Sequence, residues 1–195
     1  MRLRVGVLVS GQGSNLRALV EATKDPLYPA RVVAICANRE CPALEIAKKH
    51  RISHQVFRLV DFEDRKHRDV AMAKMLKFHG ADLIVCAGYD SILEHAFIRA
   101  FPGRIINIHP SLLPDFAGTM NAVAMALEAG VTETGCTIHV VTNDVDQGPV
   151  IAQRRVEVRP DDTVESLRER IQAEEHILLP VVIKRIAGQS LPLSV

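Results

Sequence analysis

Two rhythms of apolar residues alternate through the first half of the chain. Short continuous apolar runs at residues 3–9 (LRVGVLV), 31–37 (RVVAICA), 54–57, 82–87 (DLIVCA) and 104–108 predict buried strands. Between them, residues 14–23, 42–50, 61–78 and 92–101 read as helices. The second of these has a proline near its start. The third gathers Val70, Met72, Met75 and Leu76 on part of an otherwise charged surface. Apolar strands separated by helices predict a parallel sheet covered on both faces.

After His109 the pattern changes. A proline-bounded loop at 110–118 leads into a helix over 121–129. Two strands follow at 135–142 and 150–158, separated by the polar turn NDVDQG. A long helix over 163–187 ends the pattern, and Asp161, Asp162 and Thr163 favour its N-terminus. No repeat, low-complexity stretch or long linker divides the chain. The expectation is one α/β domain over residues 1–195, parallel at first and mixed in its C-terminal half.

Composition narrows the function classes. The 195 residues are 48% hydrophobic and 24% charged, an ordinary globular balance that excludes disorder and collagen-like repeats. Lys and Arg number 24 against 23 Asp and Glu, so a net charge of +1 leaves no electrostatic footprint for nucleic acid. No apolar run approaches the roughly 18 residues of a spanning helix. Met1 passes into a strand without a secretory leader. Cys36, Cys41, Cys86 and Cys136 are scattered and form no CxxC pair. Reduced thiols in a cytoplasmic protein are expected, with no zinc site.

Three clusters could carry chemistry. Ser10-Gly11-Gln12-Gly13-Ser14-Asn15 follows a buried strand and opens a helix, where backbone N–H groups and the helix dipole can hold a phosphate. A dinucleotide fingerprint would have Gly at position 16 and an acid after the second strand; Leu16 and Asn38 stand there. Arg39 leaves an NADP reading open, but a single phosphate suits the loop better, and a tight turn without ligand is the alternative. The second cluster, Asn107-Ile108-His109-Pro110-Ser111-Leu112-Leu113-Pro114, lies at the carboxyl end of a strand. Alternation puts Asn107 and His109 on one face, roughly 6 to 7 Å apart. An amide beside an imidazole can stabilise an oxyanion and move a proton; a structural histidine is the alternative.

The third cluster, Asn143-Asp144-Val145-Asp146-Gln147-Gly148-Pro149, reads as a hairpin turn with too few spaced carboxylates for calcium. If Asp146 faces His109, its charge would raise the imidazole pKa and orient the ring. His139, within the strand TIHVV, reads as packed or paired. Glu174-Glu175-His176 reads as a solvated helix face. Absence of GxSxG, HExxH and a reactive-Cys context argues against acyl-enzyme and zinc-hydrolase chemistry.

Taken together, SGQGSNLRAL (10–19), INIHPSLLP (106–114), GCTIHVVTNDVDQGPVIAQ (135–153) and QAEEHILLP (172–180) resemble the folate-dependent phosphoribosylglycinamide formyltransferases, in order and spacing, over nearly the whole chain. The resemblance implies a Rossmann-like formyltransferase fold, with a mononucleotide-binding half to about residue 109 and a folate-binding half over 110–195. It implies Asn107, His109 and Asp146 as catalytic residues. It assigns Gly13, Ser14 and Asn15 to the ribonucleotide phosphate and Glu175 to the substrate amine. Arg65, Asp90, Ser91, Ile92, Leu93, Asn107 and the loop Thr142, Asn143, Asp144, Val145 and Asp146 are assigned to the folate. Asp90-Ser91 stands where the family commonly has Met-Arg, so only backbone contacts carry over there. The segment after Phe116, AGTMNAVAMAL, also departs from the family pattern.

The implied reaction passes the formyl group of 10-formyltetrahydrofolate, a co-substrate, to the amine of glycinamide ribonucleotide, with Asp146 keeping His109 charged. No metal, nucleic acid or membrane partner is implied; the protein would be a monomer or homodimer. Two alternatives are a 10-formyltetrahydrofolate hydrolase-like enzyme and a non-catalytic nucleotide-binding protein. The hydrolases carry an extra N-terminal domain, for which a first strand beginning near residue 3 leaves no room. Methionyl-tRNA formyltransferases add a basic C-terminal domain, for which 195 residues are too few.

Overall fold

The computed structural model describes residues 2–188 and Leu193. Strand β1 (Leu3–Val9), buried from Val5 onward, lies inside a seven-stranded sheet of order β3-β2-β1-β4-β5-β6-β7. From β1 the chain steps outward through α1 (Ser14–Ala22), β2 (Ala30–Ala37), α2 (Ala43–Lys49) and β3 (Ser53–Val56). It then returns through α3 (Arg65–Phe78) to β4 (Leu83–Cys86) on the other side of β1, and continues through α4 (His95–Ala100) to β5 (Ile105–His109). These five strands are parallel. After α5 (Ala122–Glu128), β6 (Glu133–Val140) and β7 (Val150–Glu157) add antiparallel, and α6 (Val164–Ala187) packs back along α1 and β7. The reversal of order between β1 and β4 opens a crevice at the carboxyl ends of the strands, the usual ligand position in such sheets.

Alternation sorts each strand between two cores. Val5, Val7, Val9, Leu83, Val85, Ile106 and Ile108 join the core that contains Leu16, Leu179 and Ile183 of α1 and α6. Leu8, Ile84, Cys86 and Ile105 join Met72 and Leu76 of α3 and Phe97 of α4. On this second face the buried core draws on β1, β2, β4 and only the first residue of β5. Asn107 and His109 project from the same face, beyond the helical cover. Loops, not helices, meet them.

Several boundaries differ from the sequence expectation. Helix α3 begins at Arg65 because Asp64 caps it, its carboxylate accepting from His67 N at 2.8 Å. Residues Leu59–Asp61 before it form a separate short 3-10 turn. Helix α4 begins at His95, since Asp69 Oδ2 takes the Glu94 N–H at 2.7 Å and Glu94 itself is extended, which leaves residues 88–94 outside the helix. A capping box of Thr163 and Ser166 starts α6. Among the described residues no helix is long and apolar enough to cross a membrane.

Candidate active site

The polar face of β5 and β6 is fixed by their antiparallel register, which sets Asn107 opposite His139 and His109 opposite Thr137. Asp146 arrives from the β6–β7 loop in a left-handed conformation (φ 54°) that aspartate tolerates better than most residues. Its carboxylate is the hub of the cluster. Oδ2 lies 3.3 Å from His109 Nδ1 and accepts from Gly118 N at 3.0 Å. Oδ1 lies 3.4 Å from both His139 Nε2 and Asn107 Nδ2. His139 Nδ1 donates to the Val140 carbonyl at 3.0 Å, and Asn107 Nδ2 sits 3.2 Å from His139 Nε2. His109 Nε2 faces the Phe116 carbonyl at 3.1 Å; a carbonyl only accepts, so this nitrogen carries hydrogen. Phe116 adopts a positive φ of 56° to present that oxygen, a strained geometry for so bulky a residue.

Electrostatics here correct one expectation. Burial pushes the His109 imidazole below its ordinary pKa, and the attraction of Asp146 and the bond to Phe116 O do not make up the difference. The ring is therefore held neutral at neutral pH, ready to take up a proton. For Asp146, burial acts upward, but hydrogen bonding from His139 and the charge of His109 bring its carboxyl below the usual range.

This cluster lines one part of a cleft of about 580 Å³. Gly13, Ser14 and Asn15 line another part, at the first turn of α1. Gly13 sits at φ 73°, and a Cβ there would fall 2.6 Å from Ala43 Cβ. Glycine is thus demanded by the seating of α2 as much as by any ligand. Asn15 is buried; its Nδ2 donates to Glu175 Oε2 at 2.7 Å, while its Oδ1 has no partner among the described residues. Glu175, only 5% exposed, is not on a solvated face: it lines the cleft from α6. Burial pushes its carboxyl up to about 7, against the lowering effect of Asn15.

The segment assigned to the folate lies across the cleft. Asp90, Ser91, Ile92 and Leu93 line it, as do Thr142, Asn143, Val145 and Asp146. The Asp90 side chain turns away to Asn38 and Arg39, and its N–H donates to Ser10 Oγ at 3.0 Å. Ser91 Oγ accepts from Arg68 Nη1 at 3.0 Å, and Arg68 also pairs with Asp69 at 2.7 Å, both side chains buried. Asn143 Oδ1 meets His95 Nδ1 at 2.8 Å, tying the β6–β7 loop to α4. Two assigned residues lie outside the lining. Arg65 is exposed on the first turn of α3, and Asp144 uses its carbonyl within its own turn, accepting from Thr142 Oγ1 at 3.1 Å. His139, expected to be packed or paired, is buried and paired with Asp146, whereas sequence reasoning passed over Arg68 and Asp69. The only signal for the last was an aspartate on the same helical stripe as Met72 and Leu76.

Residues 3–183 match the model of the formyl transferase family. The chain belongs to that family. It is 44% identical over 184 residues to a phosphoribosylglycinamide formyltransferase of Mycobacterium tuberculosis, covering 94% of this chain and 85% of that one. It is 41% identical over 188 residues to the trifunctional purine biosynthetic protein adenosine-3 of Bos taurus, covering 96% of this chain. The chain spans 18% of the length of that bovine relative. Among solved structures it superposes on glycinamide ribonucleotide transformylase 1 from Symbiobacterium toebii with a TM-score of 0.93 at 41% identity, over 96% of this chain and 88% of that one. Membership in the formyl transferase family implies a folate-derived formyl donor.

Proposed function

We propose that the chain transfers the formyl group of 10-formyltetrahydrofolate to the amine of glycinamide ribonucleotide, as a cytoplasmic step of purine biosynthesis. The observation that carries this reading is an Asn107–His109–Asp146 cluster, built on a buried His109, in the same cleft as the first turn of α1 and the buried carboxylate of Glu175. On this reading Gly13, Ser14 and Asn15 receive the ribonucleotide phosphate, and Glu175 orients the attacking amine. The backbone of Asp90–Leu93 and the loop Thr142–Asp146 hold the folate. The Arg68–Asp69 pair keeps the first of those segments in position. Each substrate thus draws on both parts of the chain: the ribonucleotide on α1 and α6, the folate on the loops after β4 and β6.

The amine adds to the formyl carbon, and the carbonyl electrons move onto oxygen. Asn107 Nδ2 and His109 Nε2–H donate to that oxyanion; the Phe116 carbonyl, at 3.1 Å, shows where an acceptor meets the imidazole. The nitrogen that adds becomes acidic and sheds a proton, which the His109–Asp146 pair, joined through Nδ1 and Oδ2 at 3.3 Å, takes up as a unit. That proton then passes to the departing folate nitrogen, and collapse of the intermediate leaves the formyl group on the amine. Each oxyanion donor contributes about 3 kcal/mol to such a transition state. Bringing the two substrates together in one cleft supplies orientation.

The test follows consumption of 10-formyltetrahydrofolate by absorbance with and without glycinamide ribonucleotide. Transfer requires both substrates. Consumption without the ribonucleotide would identify a hydrolase, and no consumption a binding protein.

A further inference from the structure

Arg168 is the sole lysine or arginine among the residues that line the cleft, where it stands with Asp90, Asp146 and Glu175. A phosphate monoester, close to dianionic at neutral pH, would enter a site where, with Asp90 already paired to Arg39, Arg168 is the one cation on the lining beside Asp146 and Glu175. The α1 N-terminus supplies partial positive charge but no formal charge. Neighbouring arginines are already engaged: Arg170 with Asp162 at 2.5 Å, and Arg154 with Glu174. No ion pair engages Arg168 among the described residues.

Position supports the same assignment. Arg168, Ile171, Gln172 and Glu175 all line the cleft and follow one another at helical spacing, so they form one stripe of α6. The Asn15–Glu175 hydrogen bond fixes where α6 crosses the first turn of α1, and Tyr28 Oη donating to the Pro180 carbonyl at 2.7 Å fixes its direction. Residues before Glu175 therefore extend in front of that first turn. Seven residues of helix carry Arg168 about 10 Å from Glu175, comparable to the reach of an extended phosphoribosyl group with its appended glycinamide. Beside Glu175, the buried Asn15 Oδ1 has no partner among the described residues, an acceptor that asks for a ligand donor such as a sugar hydroxyl or an amine.

We propose that Arg168 is the side-chain counter-ion of the ribonucleotide phosphate, so that one stripe of α6 measures the substrate from anion to amine. This rests on reading the cleft as a ribonucleotide site. It makes Arg168 a specificity residue for phosphorylated over unphosphorylated substrate. It touches neither the formyl carbon nor the folate.

The experiment measures binding of ribose 5-phosphate by calorimetry, and formyl-transfer kinetics, for the wild type, Arg168→Met, Arg168→Lys and the exposed control Glu169→Gln. Because Arg168 is solvent-exposed, a loss of about tenfold is expected, at the modest end for a charge-assisted bond. Arg168→Met should weaken ribose 5-phosphate binding and raise the ribonucleotide KM by that factor, flatten the salt dependence of both, and leave kcat and folate-analogue affinity within about twofold. Arg168→Lys should fall between. Unchanged ribose 5-phosphate affinity in Arg168→Met, an equal loss for the folate analogue, or no binding by the wild type would overturn the proposal. Arg168-dependent binding in a protein that transfers no formyl group would leave this assignment standing and remove the transferase reading instead.

Discussion

Burial and the Asp146 charge pull the His109 imidazole in opposite directions, and burial prevails. Asp146→Asn removes the opposing pull, so a histidine NMR titration should show the His109 pKa falling further; an unchanged value contradicts the pairing. Because the two side chains form one proton site, His109→Ala and Asp146→Asn should each cut kcat by about 10²- to 10⁴-fold and combine less than additively. Glu175 carries a second residue-scale prediction. Its carboxyl is raised from an ordinary 4.5 to about 7, so between those values the unfolded chain releases a proton that the folded chain retains. Stability is therefore greatest below pH 4.5 for this group and declines as pH rises through 7, by about 3 kcal/mol in all. Glu175→Gln should abolish that slope in urea melts, and should lower kcat/KM for the ribonucleotide while sparing folate-analogue affinity. Glu174→Gln, which loses only a surface pair with Arg154, should be near neutral in both assays. The reverse ranking would break the assignment at this helix. Asn107 and His109 were legible because strand alternation binds them to one face. The partner of His139 was not, since a lone histidine in an apolar strand gives no sign of it until the register with β5 is known.

At the scale of elements, the strands were easiest to read and the helix starts hardest. Strand burial is written into continuous apolar runs, whereas the start of α4 depends on a contact from a different helix. Asp69, on α3, lies among core residues, and its two carboxylate oxygens are divided between Arg68 and the Glu94 N–H. Arg68 in turn holds Ser91 Oγ. Asp69→Ala leaves a buried guanidinium without its countercharge and frees the 88–94 segment, so the expected destabilisation is about 3–5 kcal/mol. Folate-analogue affinity should fall with it, and ribose 5-phosphate affinity should not. Urea midpoints and calorimetry on one preparation check both halves; a stable variant with intact folate binding would show that the buried pair does not support that wall. Opposite it, the Gly118 N–H and the Phe116 carbonyl, both presented from residues with positive φ, meet Asp146 and His109. A family pattern could not supply these contacts, because the segment after Phe116 departs from it.

Across the whole molecule, one core runs from Val5 to Leu193 beneath both the parallel and the antiparallel strands. The β4–β5 and β5–β6 ladders join the two chemical halves without an interruption. Unfolding in urea should therefore be a single transition with coincident fluorescence and circular dichroism curves. Two resolved transitions would show that the halves fold independently. The alternation of strands and helices made this architecture legible, and the resemblance located the cleft. Which side chains close around it was legible only where partners lie on neighbouring strands. The central claim is that the Asn107–His109–Asp146 cluster passes a formyl group straight to an amine held in the same cleft. Its most direct test follows an isotopically labelled formyl carbon from 10-formyltetrahydrofolate in the presence of glycinamide ribonucleotide. Direct transfer puts the label in the amide of the product and none in free formate, and His109→Ala loses it; label in formate, or unaltered transfer by that variant, would rule direct transfer out.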